Sequence, residues 1–102
     1  MRPTNFNEPT LQTLSFSDAL SELKRGKRIT RRGWNGKNMF LYLVGAGRYT
    51  PTTETGELIA QGHIDGLVPY RPYIAMFTVD QDVVPWIASQ SDLLVDDWLV
   101  LS

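Results

Sequence analysis

Few residues of this chain have side chains that could do chemistry. Its 102 residues include one histidine, His63, and no cysteine. A nucleophile–base pair therefore has only His63 or a carboxylate as its base, and zinc sites made of thiolates or of two histidines are excluded. His63 lies in the turn-like stretch Gln61–Gly66, which is typical of a surface histidine. The sequence predicts no catalytic residue, no metal site and no cofactor.

Two further patterns do not meet the requirements of their chemistry. The stretch Val44–Gly47 places two glycines directly after an apolar run and so resembles the start of a phosphate loop. No Lys-Ser/Thr pair follows these glycines, however. Asp96 and Asp97 resemble a carboxylate pair, but adjacent side chains on a strand point to opposite faces. We therefore expect no P-loop and no proton shared between these two acids.

Basic residues are concentrated in one block. Seven of the ten lie between Lys24 and Lys37, while the net charge of the chain is −1. A nearly neutral chain argues against a nucleic-acid polymer or an anionic membrane as partner. A small anion needs only one or two arginines, because a bidentate guanidinium–phosphate pair is already specific, and Arg31 and Arg32 are the candidates. The alternative is a solvated helix end and strand.

The tryptophans lie beside small polar residues and not within purely apolar runs. Tryptophan offers a flat face on which a purine can stack, and its N–H needs a partner when it is buried. Trp98 begins an apolar run at the end of the chain, and we predict that it belongs to the core. Trp34 and Trp86 fit a ligand site and a core equally well.

Short polar side chains accompany Trp34 and Trp86 and could contact base edges or ribose hydroxyls. They are Asn35, Ser89, Gln90 and Asp92. Met39 adds an adaptable apolar wall. The alternative for the polar residues is turn formation and helix capping.

An amphipathic helix must precede these residues. Apolar residues recur at i, i+3, i+4 and i+7, namely Phe16, Ala19, Leu20 and Leu23. Ser15 or Ser17 can cap the helix, and Gly26 can end it. Residues 1–14 are polar and have no period, so we predict a loose N-terminal arm there and a single domain over 15–102.

Five β-rich runs follow, at Lys27–Arg32, Met39–Val44, Tyr73–Val79, Val83–Ala88 and Trp98–Leu101. Pro85 places its strand at a sheet edge or a bulge, and Ser89 begins a helical turn. Residues 45–71 are expected to hold a short hairpin or turn near the sheet. The fold class predicted is α+β, with one N-terminal amphipathic helix packed on an antiparallel sheet of about five strands. No apolar run approaches the ~20 residues of a membrane-spanning helix, so we expect a soluble, cytoplasmic protein.

Two blocks of sequence resemble a known phage family. The first runs from Phe16 to Phe40 and includes Leu-Lys-x-Gly-Lys and Arg-x-Gly-Trp-Asn-Gly-Lys; the second is Val-Pro-Trp-x-Ala-Ser-Gln-x-Asp-Leu-Leu-x-x-Asp-Trp at 84–98. With Pro-Tyr-Ile-x-Met at 72–76, they resemble the second type of Thoeris anti-defence protein over residues 15–101.

That resemblance implies a non-enzymatic sponge. Members of the family bind host immune signalling nucleotides and keep them from their effectors; the ligands implied are glycocyclic ADP-ribose isomers, and cyclic dinucleotides for some members. The resemblance also implies a cytoplasmic homo-oligomer, a tetramer, with pockets between subunits. Trp34 and Trp86 would then stack on the base, and Arg31 or Arg32 would bind phosphate. The alternative is a phage protein-interaction module that docks on a host defence protein through a tryptophan-rich face.

Overall fold

The computed structural model describes residues 12–34 and 37–101. Asn35 and most of the predicted arm, residues 1–11, lie outside the described residues. Contacts divide the described chain into two compact units, one up to Leu43 and from Ile74 onwards, and the other Val44–Tyr73. No helix within the described ranges is long and apolar enough to cross a membrane.

The elements follow one another in the order predicted, with additions. They are α1 (Phe16–Lys24), β1 (Arg28–Arg31), a 3-10 turn (Arg32–Trp34), β2 (Phe40–Val44), β3 (Gly47–Tyr49), α2 (Glu54–Ala60), β4 (Val68–Tyr70), β5 (Tyr73–Phe77), β6 (Val83–Pro85), α3 (Gln90–Leu94) and β7 (Trp98–Leu101). The α+β class is confirmed.

The first helix has the caps that the sequence predicts. The Ser15 side chain accepts a hydrogen bond from the N–H of Asp18, at 3.2 Å, and satisfies one of the free donors of the first turn. Past the other end of α1, Gly26 has a φ of 94°, a conformation that glycine adopts without steric cost. Ala19 and Leu23 are the fully buried residues of this helix.

The main sheet has five strands in the order β6-β5-β2-β1-β7. β1 is antiparallel to both β2 and β7, and β5 is antiparallel to β6. The predicted five-stranded sheet is thus confirmed, and Pro85 lies on an edge strand, where its missing N–H costs no ladder bond.

The strands of the β5–β6 hairpin are shorter than the sequence predicts. Thr78 begins the turn: its N–H donates to the carbonyl of Asp82 at 2.9 Å, and its side chain accepts from the N–H of Asp80 at 3.1 Å. Gln81 completes the turn with a φ of 67°. The predicted strand end at Val79 is therefore wrong by two residues, since β5 ends at Phe77. The predicted strand end at Ala88 is wrong by three residues, since β6 ends at Pro85.

One face of the sheet packs against α1. The fully buried residues of this core are Ala19, Leu23, Ile29, Leu41 and Trp98. Trp98 is completely buried, and its indole N–H donates to the carbonyl of Asp92 at 2.8 Å, so the prediction that it belongs to the core is confirmed. Leu14, which the sequence places in the arm, exchanges two backbone hydrogen bonds with Trp98.

The unit Val44–Tyr73 contains an antiparallel strand pair, where the sequence predicts a short hairpin or turn, and a helix that the sequence prediction missed. β3 and β4 are antiparallel, with Gly47 opposite Tyr70. Between them, α2 begins at its cap Thr53, whose side chain accepts from the N–H of Gly56 at 2.9 Å. Among the residues of α2 only Ala60 is buried, so the helix has no apolar stripe from which its period could be recognised.

Candidate functional site

A cavity of about 510 Å³ lies against the main sheet. Arg28 and Thr30 flank the buried Ile29 on β1, and because side chains alternate along a strand, they point away from α1. The cavity therefore lies on the sheet face opposite α1. Its lining residues are Arg28, Thr30, Phe40, Phe77, Leu99 and Leu101 from the sheet, and Arg31, Arg32, Trp34, Lys37, Asn38 and Met39 from β1 and the segment that follows it.

The lining is strongly basic. It contains four cationic side chains and, among the described residues, no carboxylate. Arg28, Arg32 and Lys37 are exposed, and none of them forms an ion pair within the described part of the chain. Their charge is available to an anionic ligand, because no acidic partner in the described residues neutralises it.

Flat aromatic surfaces lie beside these cations. The rings of Phe40 and Phe77 stack with centroids 4.9 Å apart and an interplanar angle of 20°. The guanidinium of Arg28 lies 5.0 Å from the centroid of Phe40. This arrangement joins a cation to a planar apolar surface, which suits a ligand that carries both an anion and an aromatic base.

Arg31 differs from its neighbours because carboxylates already hold it. Its Nε and Nη2 donate to the two carboxylate oxygens of Asp97 at 2.9 and 3.3 Å, and its Nη1 donates to Asp92 at 2.8 Å. The side chains of Arg31 and Asp92 are only 15% and 13% exposed. Arg31 borders the cavity, but it is less suited to bind phosphate than Arg32 is.

The titration of these acids follows from their contacts. Hydrogen bonds from Arg31, with a further bond from the N–H of Gly33, hold the pKa of Asp97 below its ordinary value of 3.8. Burial raises the pKa of Asp92, but the N–H of Ser89 and the guanidinium of Arg31 lower it by more, so its net pKa is also below the ordinary value. The pair with Asp97 raises the pKa of Arg31. All three groups are therefore charged at neutral pH.

Trp34 reaches the cavity from the 3-10 turn. The residue is half-buried, and its ring meets that of Trp98 edge to face at a centroid distance of 5.5 Å. Met39 also lines the cavity, and its carbonyl accepts from the hydroxyl of Thr30 at 2.7 Å. The cavity thus brings together Arg31, Arg32, Trp34 and Met39 of the predicted site, and Asn35 lies outside the described residues.

The rest of the predicted site does not line this cavity. Trp86 packs between Phe16 and Trp98, with centroids 5.8 and 6.1 Å away. Ser89 and Asp92 form the capping box of α3: the Ser89 side chain accepts from the N–H of Asp92, and the Asp92 side chain accepts from the N–H of Ser89. Gln90 is exposed on the first turn of α3. The structure thus shows the capping role for Ser89 and Asp92, and ligand contact by these four residues stays a prediction.

Sequence reasoning did not single out eight of the described lining residues, and the cationic and aromatic ones among them are Arg28, Lys37, Phe40 and Phe77. Arg28 and Lys37 belong to the basic block of the sequence, but only the pairing of strands places them beside aromatic rings. The one usable signal is the alternation around Ile29, which puts Arg28 on the sheet face opposite the core.

Comparison with known proteins gives two matches that span most of the chain. The model of the Thoeris anti-defense 2-like domain family matches residues 14–101. A relative named Thoeris anti-defense 2, from Bacillus phage SP01, is 35% identical over 89 residues, which cover 87% of this chain and 96% of the relative. The family model includes the segment that carries the cationic lining and the segment that carries Asp92 and Asp97.

Proposed function

Because this chain belongs to the Thoeris anti-defense 2-like family, we propose that it acts by binding a host signalling nucleotide and holding it intact. Membership of the family assigns the chain to phage anti-defence. The proposal adds the means: the nucleotide is sequestered in the cavity against the sheet, so that the Thoeris effector is not activated.

The observation that carries the proposal is the composition of the cavity lining. Arg28, Arg32 and Lys37 offer cationic groups for phosphates, while Phe77 and Trp34 offer aromatic surfaces against which a base can pack. A volume of about 510 Å³ falls in the usual range of small-molecule sites, roughly 300–1,000 Å³. A nucleotide has both features that the lining fits, whereas a simple anion would need no aromatic faces.

The ligand that we propose is a glycocyclic ADP-ribose, with cyclic dinucleotides as the related alternative. Each has phosphates and a purine joined in a compact ring, so a single cavity with cations beside rings can contact both parts. Sequestration requires tight binding without turnover, and the sequence offers no nucleophile–base pair for hydrolysis. We therefore propose a binding protein, not an enzyme, that acts in the host cytoplasm, where such signals are made.

We also propose that the working form is a homo-oligomer, a tetramer with its pockets between subunits, in which a second subunit closes the open side of the cavity. Apolar side chains on and next to the edge strand β6 support this proposal, since Val83, Val84 and Ile87 are 50%, 41% and 88% exposed. Apolar groups on a sheet edge are usually covered by another chain. Light scattering coupled to size-exclusion chromatography tests it: a mass of four chains supports the tetramer, and a mass of one chain contradicts it.

The function is tested by recovering the ligand. The purified protein is incubated with an extract of cells whose Thoeris signalling is active, washed, and denatured by heat, and the supernatant is separated by chromatography. Release of an intact nucleotide is the expected result. Release of a cleaved product would indicate a hydrolase, and release of nothing together with a retained host protein would indicate a protein-docking module.

The docking alternative has less support from the aromatic side chains. It needs an exposed tryptophan-rich face, but Trp34 and Trp86 are half-buried and both pack against Trp98. The same contacts mean that substitution of either tryptophan must be accompanied by a measurement of stability. With that control, we expect Trp34→Ala to lose nucleotide binding while the protein remains folded, and calorimetry and thermal melting check the two parts.

A further inference from the structure

The 3-10 turn that carries Arg32 and Trp34 is fixed by one acidic residue. The N–H of Arg32 donates to the main-chain carbonyl of Asp97 at 3.0 Å, and the N–H of Gly33 donates to its carboxylate at 2.9 Å. The first two N–H groups of this turn, which have no partner within the turn itself, are therefore both satisfied by Asp97.

The carboxylate of Asp97 is in turn held in place by Arg31. Arg31 donates two hydrogen bonds to it, and a third from Arg31 to Asp92 fixes the guanidinium against α3. Asp97 has both oxygens engaged, so its position is determined by three donors on two residues. A rigid carboxylate of this kind can fix the orientation of the turn that it contacts.

Gly33 fits this arrangement closely. A Cβ on Gly33 would lie 2.9 Å from the carboxylate of Asp97 and 3.2 Å from Nη2 of Arg31. Both distances are shorter than a carbon atom allows without movement, so the glycine lets the turn approach the ion pair. A side chain at position 33 would therefore disturb the contact between the turn and the Asp97–Arg31 ion pair without removing any charge.

We propose that Asp97 is a positioning residue for ligand binding: anchored by Arg31, it sets the 3-10 turn so that Trp34 and Arg32 face the cavity. This inference rests on the proposed nucleotide-binding function. It assigns Arg31 to the support of the site and leaves phosphate contact to Arg32 and its exposed cationic neighbours. Asp97 itself touches no ligand in this account.

The first test uses a pair of glycine substitutions. Gly33→Ala pushes the carboxylate of Asp97 and the guanidinium of Arg31 away from the turn, whereas Gly45→Ala adds the same methyl group where no atom lies within 4 Å. We expect Gly33→Ala to weaken binding of glycocyclic ADP-ribose by at least about fivefold, a typical size for coupled neighbours, and Gly45→Ala to leave it unchanged. Equal affinities for the two variants would overturn the proposal.

The second test separates positioning from a general loss of stability. Asp97→Asn is combined with Arg32→Ala in a double-mutant cycle of binding affinities, with melting temperatures measured in parallel. If Asp97 acts through the turn that carries Arg32, Asp97→Asn weakens binding in the wild-type background and weakens it less once the Arg32 side chain is removed. Losses that multiply independently would overturn the inference, because a merely structural role affects both backgrounds alike.

A third readout needs no ligand, and it distinguishes a failure of this inference from a failure of the proposed function. In ligand-free protein, Asp97→Asn and Gly33→Ala should shift the indole resonance of Trp34, assigned by its absence in Trp34→Phe, and should increase amide exchange at residue 33. If wild type does not bind the nucleotide but these resonances shift, the turn is positioned as proposed and the function is wrong. If they do not shift, the positioning role is wrong.

Discussion

Two consecutive arginines of this chain have different roles because their charges have different partners. Arg31 is held by Asp92 and Asp97, and its side chain is only 15% exposed. Arg32 is exposed, lines the cavity and has no carboxylate partner among the described residues. Sequence alone treats the two as equivalent candidates for phosphate, and only the contacts separate them.

At the residue scale we expect the free cations of the cavity to bind the ligand's phosphates. Arg32→Ala and Lys37→Ala should each weaken nucleotide binding about tenfold, since a hydrogen bond to a charged group contributes roughly 1.5–3 kcal/mol. The loss should shrink as salt is raised, because exposed charges are screened. Calorimetric titration at two ionic strengths measures both effects.

The matched control for these substitutions is Arg25→Ala. Arg25 follows α1 and has a side chain that is 70% exposed, and α1 packs on the sheet face away from the cavity. Arg25→Ala removes the same unit of positive charge as Arg32→Ala does, but at a distance from the proposed site. If Arg25→Ala weakens binding as much as Arg32→Ala does, the effect comes from net charge and the assignment of the cavity is wrong.

The stacked phenylalanines allow a second residue-scale prediction. Phe40→Leu keeps an apolar side chain on β2 but removes the ring on which Phe77 stacks and over which Arg28 lies. We expect about a fivefold or greater loss of affinity, because Phe77 and Arg28 lose their support and a stacked base contributes roughly 1–3 kcal/mol. Tyr70→Leu, which removes an exposed ring outside the cavity lining, is the control. Equal affinities for the two variants would show that the Phe40–Phe77 pair does not form the base site.

At the scale of elements, the ion pairs of Arg31 connect β1, α3 and the segment before β7, and they make the fold sensitive to acid. Asp92 and Asp97 have pKa values below 3.8 in the folded protein. Depressed carboxyl pKa values contribute stability that is complete above the ordinary pKa and is lost as the pH falls through the folded-state values. For this reason we expect the free energy of unfolding to decrease as the pH is lowered past about 4.

Urea unfolding between pH 7 and pH 2.5 measures that dependence. Asp97→Asn should be less stable than wild type at pH 7, and the difference should narrow as the pH falls, because wild type loses the same charge by protonation. A gap that stays constant across this range would mean that the Arg31 pairs do not control the acid sensitivity.

The capping box of α3 gives a prediction that separates the two interpretations of Ser89. Ser89→Ala removes the acceptor for the N–H of Asp92 and should lower the free energy of unfolding by about 1 kcal/mol, as is typical for an N-cap. If Ser89 only caps the helix, nucleotide affinity stays unchanged at a temperature where the variant is folded. A large loss of affinity there would confirm the predicted ligand contact.

How well the sequence predicts each element depends on how local its cause is. Ser15, Gly26 and the apolar stripe of α1 lie within a dozen residues, so the helix and its caps could be predicted. The helix α2 could not, because Leu58 and Ile59 are exposed and leave no buried stripe. The cavity was predicted only where it borders the basic block, since bringing Phe77 beside Phe40 requires the strand order of the sheet.

At the scale of the molecule, a chain with a net charge of −1 presents a locally basic cavity. This distribution suits a small anion better than a long polyanion, because a polymer needs cations spread over a longer surface. The main sheet contributes to both folding and the cavity. One of its faces packs against α1 in the core, and the other carries the cations and rings of the cavity.

Sequestration in this cavity is tested most directly by calorimetric titration of the protein with 1″–3′ glycocyclic ADP-ribose, followed by chromatography of the recovered nucleotide. A cyclic dinucleotide is titrated in parallel to compare the two ligand classes. We predict tight binding of the glycocyclic nucleotide, weakened by Arg32→Ala, and recovery of that nucleotide unchanged. Absence of binding to the folded protein, or recovery of a cleaved product, would contradict it.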